Sequence, residues 1–216
     1  MTAQLLIRIV NAEHFDYLFR DEKNTITTGS VFHPDQIPEF FNTLSKNIPV
    51  SLIVPGENVL IFNVTLPKLV RSQLLKAIPY AIEEQLIEPL EQLHFAIGNQ
   101  RSDGSVTVCV VKKHLLRTWL DQCRSMQLTP RAIFADYFLV PLLADSWHIY
   151  LDGDRALLRL GAHQGMTIEQ TALQSLLVLR IAENATNLPN NIVINYDDGN
   201  EYFETEMLAS LPTTVT

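Results

Sequence analysis

Short apolar runs separated by turn residues set the layout of the first part of the chain. "QLLIRIV" and "DYLF" read as strands, with "NTITTG" as a third. In "PDQIPEFFNTLSKN", Ile37, Phe40, Phe41 and Leu44 then recur at helical spacing. "PVSLIVP" follows with almost no polar interruption, the pattern of a buried parallel strand. The last part of the chain repeats this order. "WHIYLD", "RALLRLG" and "GMTI" read as strands, the first two joined by a turn at Asp152-Gly153-Asp154. Thr167, with Gln170 three residues on, has the form of a capping box opening a helix. "QSLLVLRIAENA" continues that helix and "NIVINYD" is the buried strand. Three meandering strands, a helix and a strand are thus expected twice.

A different block lies between the copies. "NVLIFNVTL" reads as a long strand, and Pro67 suits the first turn of the helix after it. "HFAIGNQRSDGSVTVCVV" is a hairpin turned at Asp103-Gly104. "KKHLLRTWLDQCRSM" places Leu116, Trp119, Leu120 and Cys123 on one helix face. "RAIFADYFLVPLL" is a strand and a short helix. The expected class is mixed α/β. Its duplicated lobes resemble the ribonuclease-H-like units of actin-like ATPases, with a central subdomain inserted. The division expected is 1–57 for the first lobe, 58–145 for the central subdomain and 146–216 for the second lobe. Fold alone does not decide function.

The formal charge is -8, and the longest basic run is Lys112-Lys113, so nucleic-acid binding is not expected. Cys109 and Cys123 fit neither a redox pair nor a zinc site and read as small, partly buried side chains. No run of about 20 apolar residues offers a membrane span, so these residues read as soluble. The six histidines are scattered over separate elements, and no metal site is expected.

No GxxxxGK[ST] loop or GxSxG elbow is present. Actin-like ATPases grip phosphate with two Asp-and-Gly hairpin turns, one opening each lobe. Here the first falls at Asn11-Ala12-Glu13-His14, without glycine; the second carries one glycine and then Arg155. Backbone N–H groups cradle phosphate best where side chains do not intrude. No cofactor is therefore expected, and no enzymatic activity.

"LLKAIPYAIEEQL" carries two adjacent glutamates and an internal proline. Adjacent helical residues point about 100° apart, so Glu83 and Glu84 cannot form an acid/base pair on one bond. Leu74, Leu75, Ile78, Ile82 and Leu86 share one arc and should face the core. Tyr80, Glu84 and Glu88 form a stripe away from it, with Ile87 alongside. Pro79 should bend or split this helix, and Pro89 should end it near residue 88. Tyr80, Glu84, Ile87 and Glu88 read either as a docking patch or as two solvated acids beside apolar groups tucked under a neighbouring strand.

The same region carries a resemblance. "VPGENVLIFNVTLPKLVRSQLLKAIPYAIEEQLIEPLEQLHFAIG" is similar to the signature of the type II secretion system protein L family. The matching elements are Val54-Pro55-Gly56, Leu66-Pro67, Arg71, Gln73-Leu74, Ala77, Pro79-Tyr80, Glu83 to Leu86 and Leu93-His94. "LDGDRALLRLGAHQG" resembles the family's second-lobe hairpin. The resemblance implies the cytoplasmic part of an inner-membrane protein, with a membrane span and a periplasmic domain downstream. It implies an actin-like scaffold that recruits the secretion ATPase (protein E) through that enzyme's N-terminal domain. It further implies partnership with platform proteins such as protein M and protein F, and homodimerisation. The rival reading is a nucleotide-binding actin-like ATPase of a pilus or cell-division type.

Overall fold

The computed structural model describes residues 2–11, 13–32, 41, 48–183, 188–196 and 214–215. The first sheet contains β1 (Gln4–Ile9), β2 (Phe15–Arg20), β3 (Ile26–Val31), β4 (Val50–Val54) and β8 (Pro130–Ala135), in the order β3-β2-β1-β4-β8. β1, β2 and β3 form an antiparallel meander, and β1, β4 and β8 run parallel. The second sheet contains β9 (Ser146–Asp152), β10 (Arg155–Gly161), β11 (Gln164–Glu169), β12 (Asn191–Tyr196) and β13 (Thr214–Val215). Its order is β11-β10-β9-β12-β13, with the same pattern of antiparallel and parallel pairs. The repeat expected from element order is therefore present in hydrogen-bonded topology. β4 is buried at all five positions, as a strand in the middle of a parallel run must be.

A third sheet, β5 (Leu60–Thr65), β6 (Leu93–Ile97) and β7 (Ser105–Lys112), has the order β5-β7-β6. Gly104, at φ 81°, turns the hairpin between β6 and β7. Helix α1 (Arg71–Ala81) packs on this sheet through Leu74 and Ile78 against Val106, Val108 and Val110. Helix α2 (Lys113–Ser125) covers the first sheet, burying Trp119 and Cys123 with Leu5, Ile7 and Leu52. Helix α3 (Leu173–Glu183) buries Leu173, Leu177 and Ile181, one per turn, against Ile149, Leu151 and Leu158.

Several expectations are corrected. The division at 58–145 assigns α2 and β8 to the central block, yet α2 packs in the first core and β8 bonds to β4. The central sheet is an insertion between two parts of the first lobe. Thr167 does not cap a helix; it lies buried in β11, and a 3-10 turn at Gln170–Ala172 precedes α3. Pro67 precedes the helix, which starts at Arg71; the Gln100 amide donates to the Leu66 and Pro67 carbonyls and accepts the Leu69 N–H, tethering the chain before the helix. The helix expected around residues 34–47 lies outside the described residues, except for Phe41, which is helical and buried.

Candidate functional site

The lobes meet where β4 and β8 end. After β4 the chain turns at Gly56; after β8 it turns at Asp136-Tyr137. Asp136 is 1% exposed and its carboxylate is fully engaged. Oδ1 accepts from the Gly56 N–H at 3.0 Å and the Thr167 hydroxyl at 2.7 Å, and Oδ2 accepts from Arg155 Nη1 at 3.1 Å. A buried carboxylate survives only with such partners. The Tyr137 ring is clamped between two glycines from different lobes. A Cβ on Gly56 would stand 2.5 Å from Tyr137 Cδ1, and one on Gly165 would stand 2.5 Å from Cδ2. Burial pushes the Tyr137 hydroxyl's pKa far up, so the ring remains neutral.

Around this hub, charges fill the space between the two lobe-opening turns. Arg155 donates to Asp152 at 2.6 Å and reaches Glu57 at 3.4 Å, and Arg8 of β1 pairs with Asp152 across the lobes. Burial opposes the charge on Arg155. The Asp152 hydrogen bond, with the charges of Asp136, Asp152 and Glu57, outweighs it and raises the pKa above the usual guanidinium value. At the first turn, Asn11 Oδ1 accepts the N–H groups of Glu13 and His14, both at 2.9 Å, and the N–H groups of Val10 and Asn11 bond to the His14 carbonyl. Those N–H groups are thus turned inward on the turn's own acceptors. What remains of the cleft is a cavity of about 360 Å³. On its polar side, Arg8 is committed to Asp152, and the His148 ring nitrogens lie 3.0 Å from the Pro141 carbonyl and 2.7 Å from Asn195 Oδ1. No cluster of three or more His, Cys, Asp or Glu suited to a metal occurs among the described residues.

The predicted patch is rearranged. Pro79 has no N–H for the Leu75 carbonyl, and α1 ends two residues later at Ala81. Glu83–Gln85 then form a separate 3-10 turn. Tyr80, Glu84 and Glu88 are therefore not a helical stripe, and the helix does not reach residue 88. Tyr80 is 71% exposed and Ile87 96%, so neither packs under a strand. Glu84 is exposed as well, while Glu88 is half-buried and paired with Lys112 at the end of β7. The Lys112 hydrogen bond pulls the Glu88 pKa below the ordinary carboxylate value. Leu75, expected in the core, is exposed; Leu74, Ile78 and Ile82 carry the packing, with Leu86 alongside.

The residues that carried the resemblance mostly build the central subdomain. Arg71 donates to the carbonyls of Ile97 and Gly98, both at 2.6 Å, and ties the start of α1 to the end of β6. Gln73 accepts the Val70 N–H at the helix start. The motif is thus largely a set of tethers. Sequence reasoning missed Asp136, Tyr137 and Arg8. The available signal was Asp136 itself, an acid inside the apolar run "AIFADYFLV", which demands a buried partner.

Comparison with known proteins agrees with this architecture. The family model for the type II secretion system (T2SS), protein L, matches residues 8–204. The type II secretion system protein L of Dickeya chrysanthemi is 33% identical over 159 residues, which are 72% of this chain and 38% of that protein. That of Klebsiella pneumoniae is 29% identical over 154 residues, 71% of this chain and 38% of that protein. The matched segment thus makes up 38% of the length of each of these relatives. Among solved structures, the cytoplasmic domain of EpsL, an inner membrane component of the type II secretion system of Vibrio cholerae, superposes with a TM-score of 0.76 at 18% identity. The match covers 91% of this chain and 83% of that one. The PilM–PilN type IV pilus biogenesis complex gives 0.61 at 11% identity, over 99% of this chain and 87% of that one. A Bacteroides thetaiotaomicron protein with an actin-like ATPase fold gives 0.51 at 9% identity, over 90% of this chain and 81% of that one. The fold is mixed α/β and actin-like, and the chain belongs to the type II secretion system protein L family.

Proposed function

We propose that this chain is a non-catalytic scaffold of the secretion system. It docks the N-terminal domain of the secretion ATPase, protein E, and holds that motor against the inner-membrane platform. The observation that carries this reading is the inter-lobe junction. Where an actin-like ATPase would need two phosphate-gripping turns, Arg8, Arg155, Asp136 and Asp152 neutralise one another across the lobes. A rigid body with a partner face needs no reaction chemistry. The Vibrio neighbour is the cytoplasmic domain of an inner membrane component, which supports a place for this chain at the inner membrane. The remaining partners of this reading are protein M, protein F and a second copy of the chain.

The docking face proposed is Tyr80, Glu84 and Ile87, with Glu88 at its edge held by Lys112. An exposed tyrosine beside an isoleucine open to solvent is the composition of an interface anchor. Tyr80→Ala with Ile87→Asp should weaken binding of the ATPase N-terminal domain by about tenfold or more, measured by titration. Unchanged affinity, with an unchanged melting temperature, would remove the patch.

A further inference from the structure

The central sheet has a second face. Val106, Val108 and Val110 of β7 point at α1, and the alternate residues Thr107, Cys109 and Val111 line a cavity of about 670 Å³ on the opposite side. Its far walls are Trp119 and Leu120 of α2, Ile133 and Phe134 of β8, and Phe138 and Arg159. All three sheets therefore contribute to one mostly apolar groove, within the size range of specific binding sites.

The charge of this groove opposes that of the chain. The sequence has 24 acidic residues against 16 basic ones, yet no acidic side chain lines the groove, while Arg159, His94 and His163 do. Arg159 donates to the carbonyls of Gly161 at 2.9 Å and Ala162 at 3.1 Å, and its guanidinium stands 4.3 Å from the Phe138 ring centre. Among the described residues no carboxylate pairs with it. Its charge is met only by two carbonyl dipoles and a ring face, which leaves it able to take an acidic partner.

The backbone is incomplete here as well. β8 pairs only with β4, and β6 only with β7, among the described residues, so each has an edge without a strand. Ile133 and Phe134 are consecutive and point to opposite faces of β8, yet they are 38% and 46% exposed. An apolar edge left open in this way is a template for strand addition. A free amphiphile could fill the apolar space and neutralise Arg159, but it could not pair the strand edges. A polypeptide does all three.

We propose that this groove binds an extended segment of a partner protein. The segment pairs its backbone with the free edge of β8, buries large apolar side chains against Trp119 and Phe134, and presents a carboxylate to Arg159. The surface lies on the opposite face of the central sheet from α1 and is independent of the Tyr80–Ile87 patch.

Selection of random short peptides displayed on phage, against the whole chain, tests this. Enriched peptides should place Asp or Glu among large apolar residues. Selection against Arg159→Glu should favour Lys or Arg instead. Synthetic copies of the enriched peptides should perturb Trp119 fluorescence and lose about tenfold or more in affinity with Arg159→Gln or Phe134→Asp. Arg159→Lys should retain most of the binding. Circular dichroism and melting establish that each variant folds; Phe134 is exposed enough for its variant to do so. No enrichment, or affinities indifferent to both substitutions, overturns the proposal. Dodecanoate binding that depends on Arg159, without any peptide enriched, would assign the groove to free amphiphiles and overturn it equally.

Discussion

The two lobes share one strand order and one pattern of parallel and antiparallel pairs, but they differ at the turn that opens each. In the first lobe the turn closes on itself, with Asn11 and the His14 carbonyl taking the local N–H groups. In the second, Asp152-Gly153-Asp154 is a tight hairpin with Gly153 at φ 65°, and it sends Arg155 into the space between lobes. The difference teaches that one strand order can carry two turns of opposite use: the first satisfies its own N–H groups, and the second sends a side chain to join the lobes. The hydrogen-bonded sheets depend on apolar patterning, which many residues share. A phosphate grip depends on a few backbone N–H groups and on the absence of intruding side chains.

The junction between the lobes is most sensitive at Asp136, which joins the end of β8 to Thr167 and Arg155 of the other lobe. Asp136→Ala leaves Arg155 without its buried partner and should cost about 3–5 kcal/mol in urea unfolding. The next largest effect is expected from Gly165→Ala. Its Cβ would meet Tyr137 Cδ2 at 2.5 Å and the Leu158 carbonyl oxygen at 2.9 Å, so the clamp must open. Overpacking of this kind should cost about 1–3 kcal/mol, read as a lower denaturation midpoint. Arg8→Ala should cost only about 1 kcal/mol or less and lose its effect at high salt, because Arg8 and Asp152 are both partly solvated.

The smallest effect lies outside the lobes and serves as a control on them. The Glu88 pKa is lowered in the folded chain, chiefly by Lys112. Its contribution is therefore present above the unfolded value, near 4.5, and is lost as pH falls through the lower folded value. Lys112→Met should flatten that part of the acid limb of a stability–pH profile and leave the inter-lobe substitutions unaffected.

What could be read from the sequence follows from the range of the interactions. The strands of both lobes were legible because each strand's apolar residues report locally on burial, as in "SLIVP" of β4. The hairpin at Asp103-Gly104 was legible because its turn requires a residue that tolerates positive φ. The rank of β8 in the first sheet was not, because its partner β4 precedes it by the whole central insertion. The inter-lobe ion pairs were invisible for the same reason: Arg8 and Asp152 are 144 residues apart. Thr167 was misread because Ser and Thr before a helix satisfy a cap and a buried carboxylate equally well at the level of pattern. For the patch, the composition of Tyr80, Glu84 and Ile87 could be read, and so could a break at Pro79; the helical stripe drawn across that break, to residue 88, could not hold.

Under the scaffold reading proposed above, charge pairing between the lobes stands in place of phosphate binding. Titration calorimetry of the chain with ATP and Mg²⁺ tests it most directly. The account predicts no saturable heat, for the unmodified chain and for Arg8→Ala alike. Saturable binding of ATP to the unmodified chain would contradict it, whether or not replacing Arg155 or Asp152 changes the affinity.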